Sequence, residues 1–232
     1  MSDSLIVITG AAGGLGKGLA QSFLAAGERV LLADIDLGRL ESTYADVKGD
    51  KYFVEVDLTN ADATATAFSQ CFEKHGAPRV LCNIAGGFAM GDAVHEAQES
   101  VWQQMMDMNV MTLINASRAT VPAMIKQGSG KIINVSAAAA TSGKATMAPY
   151  LVSKSAVSRI TESMALELRE KGINVNAVAP STIDTPANRA GMPDADPSVW
   201  VSPQQLSGVI GFLASDAADA VHGAVIPVVG MC

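Results

Sequence analysis

Short β-branched runs alternate with helical periodicity along almost the whole chain. Leu5–Thr9, Arg29–Ala33, Tyr52–Val56, Val80–Asn83, Lys131–Val135, Asn174–Val178 and Ala224–Val228 read as strands. Several are apolar on both faces, as in Val30-Leu31-Leu32-Ala33, which marks a sheet covered on both sides. Between them, apolar residues recur at helical spacing near 15–26, 38–48, 61–75, 100–125, 150–171 and 203–214. Such alternation specifies right-handed βαβ units and predicts an α/β fold, a doubly wound parallel sheet with helices on both faces. No linker, repeat or low-complexity tract divides residues 1–232, so a single domain is expected. The one long irregular stretch, Ser181 to Ser202, holds Pro186, Pro193 and Pro197. A segment of that length reads as a lid or binding loop.

Composition narrows the partners. The 232 residues are 49% hydrophobic, enough to bury a sizeable core. Sixteen basic against 23 acidic residues give a net charge of -7, which argues against nucleic acid or an anionic membrane surface. An anionic cofactor must then be held by local backbone donors. Cys71, Cys82 and Cys232 stand at no metal-like spacing, and His75, His95 and His222 are scattered, so no metal site is expected. Cys82 lies in an apolar run and reads as a buried thiol of a reducing compartment. No stretch approaches the ~20 apolar residues a membrane span needs, so a cytoplasmic protein is expected.

Gly10, Gly14 and Gly16 fall where the first strand turns into the first helix. Glycine there permits a sharp turn and lets a pyrophosphate approach the helix N-terminus, whose N–H groups and dipole favour anions. Eighteen residues after Gly16, Asp34 ends the second strand, where an acid can accept both ribose hydroxyls of adenosine and repel a 2′-phosphate. Neither Arg29 nor Arg39 is adjacent in sequence to offset that repulsion. The preferred cofactor is therefore NAD(H). Asp57 ends the third strand and Asn83-Ile84-Ala85-Gly86 the fourth, so four strand ends agree on one crevice. Ala12, Leu15, Ile35, Leu58 and Ala85 are counted among the expected cofactor contacts. The turn could also exist without a ligand, and Asp34 could instead cap a helix, a job Asp36 could share.

Tyr150 and Lys154 sit four residues apart in a predicted helix, about fourteen residues after the fifth strand. An i, i+4 pair shares a helix face, and a nearby ammonium lowers the pKa of a phenol. That suits proton exchange with an alcohol or carbonyl oxygen. A second Tyr-x-x-x-Lys, Tyr44 to Lys48, belongs to the helix after the second strand and reads as a solvated helix face.

Thr9-Gly10-Ala11-Ala12-Gly13-Gly14-Leu15-Gly16, Asn83-Ile84-Ala85-Gly86, Asn109 and Tyr150-x-x-x-Lys154 resemble, in order, the short-chain dehydrogenase/reductase family. The resemblance implies a Rossmann-type fold with Tyr150 as acid/base, Lys154 on the nicotinamide ribose and Asn109 holding a proton-relay water. Pro180-Ser181-Thr182-Ile183-Asp184-Thr185 is similar to the family's Pro-Gly-x-Ile-x-Thr, which implies cofactor contacts from Pro180, Ile183 and Thr185. It also implies a homodimer or homotetramer built on the fourth and fifth helices. Met105, Met106, Met108 and Met111 beside Asn109 read as packing.

Two departures stand out. The family's serine lies thirteen residues before the tyrosine, where this chain has Ala137, with Ser136 one residue earlier. Ser136 either serves in its place or bonds only to backbone. The end Gly223–Cys232 lacks the usual glycine pair. Both departures, with Gly86-Gly87-Phe88 and the lid sequence, are similar to the dihydropteridine reductases. Together these readings predict an NAD(H)-dependent oxidoreductase interconverting a small-molecule carbonyl and alcohol. The alternatives are reduction of a quinonoid dihydropterin, and a dinucleotide sensor that turns nothing over.

Overall fold

The structure is a computed structural model that describes residues 5–231; Cys232 lies outside them. Seven strands form one sheet: β1 (Leu5–Thr9), β2 (Arg29–Asp34), β3 (Lys51–Glu55), β4 (Pro78–Asn83), β5 (Gly130–Val135), β6 (Ile173–Pro180) and β7 (Val225–Val228). Their order is β3-β2-β1-β4-β5-β6-β7, and every pair is parallel. The order reverses between β1 and β4, which opens a crevice at the carboxyl ends of those strands.

Alternating side chains feed two cores. On one face Ile6, Ile8, Val30, Leu32 and Val80 pack with Leu19 and Phe23 of α1 (Gly14–Ala25) and with residues 206–214. On the other, Leu5, Val7, Leu31, Leu81 and Ile132 meet Phe68 of α3 (Ala61–His75) and helices further along. The sequence expected this covering on both sides, and the fully buried Val30, Leu31, Leu32 and Ala33 show why it was readable.

Several boundaries differ from the sequence reading. α2 runs only over Leu37–Tyr44, capped by Asp36, so Lys48 lies outside it. The stretch read as one helix over 100–125 is α4 (Glu99–Met106), a widened π turn (Asp107–Met111) and α5 (Thr112–Gln127). α6 spans Ala148–Leu168. The expected irregular stretch contains α7 (Pro186–Gly191), started by Thr185 as cap and Pro186 at its first position. α8 (Pro203–Leu213) begins with a capping box between Ser202 and Gln205. Among the described residues no helix is long and apolar enough to cross a membrane.

Candidate active site

Thr9 ends β1, and its hydroxyl ties the crevice together. It accepts hydrogen bonds from the Ile84 and Ala85 N–H groups at 3.0 and 3.1 Å and donates to the Cys82 carbonyl. The chain then turns at Gly10 with φ of 61°. A Cβ there would stand 2.8 Å from the Ala85 backbone, and one on Gly16 only 2.4 Å from the Gly10 carbonyl oxygen. Both positions therefore require glycine. No side chain caps the N-terminus of α1 and no acid sits in its first turn. Its N–H groups and positive dipole end suit a phosphate.

Asp34, 8% exposed, accepts from the Ala12 N–H through Oδ2 and from the Ile35 N–H through Oδ1, both at 2.9 Å. Each carboxylate oxygen keeps a second lone pair for a ligand hydroxyl. Asp36, not Asp34, caps α2. Although not adjacent to Asp34 in sequence, Arg39 reaches the same turn, with Nη2 3.4 Å from the Ala12 carbonyl oxygen. Ile35 is 62% exposed at the crevice edge, and Leu58 is buried with its carbonyl held by Asn115 of α5. Asp57 accepts from the Thr59 N–H and hydroxyl.

Tyr44 corrects the sequence reading. It is fully buried, and its hydroxyl donates to the Ala11 carbonyl at 2.7 Å. The short α2 turns the ring inward beneath the glycine-rich turn, so this tyrosine lies on no solvated face. Asn83 is another partial departure. Its amide turns behind the crevice toward Asn134 and Ser117, at 2.9 and 3.4 Å, so only its backbone is left to face a cofactor.

The chemical end is built on α6. Tyr150 meets Phe88 edge-on, with ring centroids 4.8 Å apart and planes at 76°. Its hydroxyl bonds to no described residue. Lys154 is 7% exposed and its Nζ donates to the Val135 carbonyl at 2.9 Å. Burial pushes the lysine down to about 8. Burial also raises the Tyr150 phenol, whereas the sequence argument expected the ammonium to lower it. Burial thus favours the neutral phenol, the form that donates a proton.

Gly86 is where the two ends meet. A Cβ on it would stand 2.6 Å from Asn109 Oδ1 and 3.3 Å from Lys154 Nζ. The π turn aims the buried Asn109 side chain at this spot. Its Oδ1 accepts from the Gly87 N–H, and its Nδ2 donates to the Gly87 carbonyl and to Ser153 Oγ. Ser153 in turn donates to the Tyr150 carbonyl at 2.7 Å. The Asn109 amide thus joins the β4 end to α6. Sequence reasoning missed Thr9, Phe88 and Ser153. Position beside Gly10, Gly87 and Tyr150 was the only signal available.

Ser136 is 2% exposed, and its hydroxyl pairs with the Lys154 carbonyl and Ser158 Oγ at 2.9 and 2.8 Å. Of the two readings open for Ser136, these contacts favour a strand-end hydroxyl bonded into α6 over one that serves the substrate oxygen. Ser136→Ala is expected to hold turnover within about threefold while costing ~1 kcal/mol of stability for a lost buried hydrogen bond. Steady-state kinetics and thermal melting of the variant check both numbers. Pro180 ends β6. Thr185 has a double role: its hydroxyl accepts from the Asn188 N–H to cap α7, and a Cβ on Gly14 would stand 2.9 Å from its methyl. Ile183 pairs in a parallel bridge with Val201, and Asp184 makes two bonds to Arg189 at 2.6 and 2.8 Å. Among the described residues no group of three or more His, Cys, Asp or Glu could hold a metal ion.

The short chain dehydrogenase family model matches residues 4–195, and the chain belongs to that family. A 3-oxoacyl-[acyl-carrier-protein] reductase of Thermotoga maritima is 32% identical over 244 residues, covering 99% of this chain and 98% of that protein. The structure of a gluconate 5-dehydrogenase from Burkholderia cenocepacia in complex with NADP and tartrate matches with a TM-score of 0.91 at 28% identity, over 99% of this chain and 95% of that one. That of a 3-oxoacyl-[acyl-carrier protein] reductase from Brucella melitensis with bound NAD gives 0.87 at 27% identity, over 98% and 90%.

Proposed function

We propose that this chain is an NAD(H)-dependent enzyme that interconverts a small-molecule carbonyl and its alcohol, with Tyr150 exchanging the proton. The observation that carries this reading is the Tyr150 hydroxyl. It bonds to no described residue and lies one helical turn before Lys154, whose buried Nζ stands near Gly86. NAD(H), when bound, supplies the hydride chemistry. The protein's part is placement. Gly10, Ala12, Gly14, Leu15 and Gly16 receive the pyrophosphate, and Asp34 takes the adenosine ribose. Gly86, Lys154, Pro180, Ile183 and Thr185 line the nicotinamide end. Tyr150 gives its proton to the substrate oxygen in reduction and takes it back in oxidation. The segment 181–202 covers the site as a lid. The protein is further proposed to be a cytoplasmic homodimer or homotetramer.

Asp34 supports preference for NAD(H), since a 2′-phosphate would meet a carboxylate held by two backbone N–H groups. Arg39 beside the same turn makes the discrimination finite. NADH is expected to bind more tightly than NADPH in calorimetric titration, and Asp34→Ala to shrink the gap. Equal or tighter binding of NADPH by the unaltered chain would sink this preference.

Ser136, turned into α6, favours a second reading, in which Tyr150 and Lys154 alone reduce a quinonoid dihydropterin. A screen of carbonyls, alcohols and a quinonoid pterin, run with NADH and NADPH side by side, separates the readings. Binding without turnover on any of them would leave the sensor.

A further inference from the structure

The glycine-rich turn is wired to the β2–α2 segment through one peptide unit. The carbonyl of Ala11 accepts the Tyr44 hydroxyl at 2.7 Å, and the N–H of the same peptide, on Ala12, donates to Asp34 Oδ2 at 2.9 Å. The plane is therefore gripped at both ends. The Tyr44 hydroxyl also lies 3.4 Å from the Gly16 carbonyl oxygen, so it touches both limbs of the turn. Its ring is fully buried against Phe53, with centroids 6.0 Å apart, and has no freedom to follow a moving turn. A peptide that rotated would swing the Ala12 N–H away and release the carboxylate meant for the adenosine ribose.

We propose that Tyr44 is a positioning residue for dinucleotide binding: by fixing the Ala11–Ala12 peptide plane it sets both the phosphate turn and the orientation of Asp34. The assignment rests on the dinucleotide reading of the site. Tyr44 touches no ligand itself. Its removal changes affinity through Asp34 and the turn.

Calorimetric titration of NADH into the full chain tests this. Tyr44→Phe keeps the ring and is expected to raise the NADH Kd by about 5–30-fold, as for loss of one buried hydrogen bond. Phe68→Leu loosens the core on the opposite face of the sheet, away from Tyr44. It is expected to lower the melting temperature with a Kd within about twofold of the unaltered chain. Asp34→Ala should cost less affinity in the Tyr44→Phe background than alone, because both act on one peptide plane. In the unaltered, unliganded chain the Ala12 amide should be protected from hydrogen exchange. That measurement holds even if the variant does not fold. A Kd for Tyr44→Phe within twofold, an equal rise in Phe68→Leu, multiplicative effects with Asp34→Ala, or fast exchange of the Ala12 amide would each overturn the assignment. If the unaltered chain bound neither NADH nor NADPH, the dinucleotide reading itself would fail, and the assignment with it.

Discussion

Tyr150→Phe is expected to lower turnover by about 10²–10⁴-fold, the range for losing a positioned acid/base. The ring would remain edge-on to Phe88, and the hydroxyl has no partner among the described residues to lose, so stability should be nearly unchanged. Dinucleotide binding should survive too, because the phenol is no part of the phosphate turn. Loss of turnover with intact folding and binding is the signature of a chemical group. Rate measurements at saturating NADH, with a melt and a titration, read all three. A variant that kept more than a tenth of the rate would take the proton transfer away from Tyr150.

The second large effect belongs to Lys154. Its ammonium is buried and falls to about 8 from an ordinary 10.5. Below about 8 the folded and unfolded chains both hold the proton. Between about 8 and 10.5 the unfolded chain binds a proton that the folded one lacks, so this group's contribution to stability rises with pH. Activity should move the other way. On the role proposed for Lys154, its charge is lost through the same window, and kcat/KM for carbonyl reduction should fall above about 8. Lys154→Met should lower kcat/KM by about 10²-fold at neutral pH and abolish that limb. It should not lower the melting temperature, since a buried cation is replaced by an apolar chain of similar size. A pH profile with the same limb in the variant would assign the titration to another group.

How much of this was legible in sequence depends on what each residue answers to. Val30-Leu31-Leu32-Ala33 reads as a buried strand from its own side chains, and the order of strands and helices follows from such runs. The crevice was legible for the same reason, because Gly10, Asp34 and Gly86 sit at strand ends. What was not legible is where side chains turn once elements pack. Tyr44 looks amphipathic in a helix assumed to reach Lys48. Ending that helix at Tyr44 lets the ring enter the core. Ser136 and the substrate face differ by one residue at a strand end, where the side-chain period of two decides everything. Helix α7 was hidden by its three flanking prolines, one of which starts it. The π turn at Asn109 leaves no mark in hydrophobic spacing, yet it delivers the amide that joins Gly87 to Ser153.

In the proposed reaction this chain passes a hydride between NAD(H) and a substrate carbon while Tyr150 moves the proton. That reaction is tested most directly with NADH deuterated at the transferring carbon of its nicotinamide, incubated with a carbonyl panel and followed by mass spectrometry. The unaltered enzyme is expected to yield an alcohol carrying deuterium on its carbinol carbon, and Tyr150→Phe at least a hundredfold less of it in the same time. NADH that binds yet transfers no deuterium to any carbonyl, or equal transfer by the Tyr150→Phe variant, would contradict it.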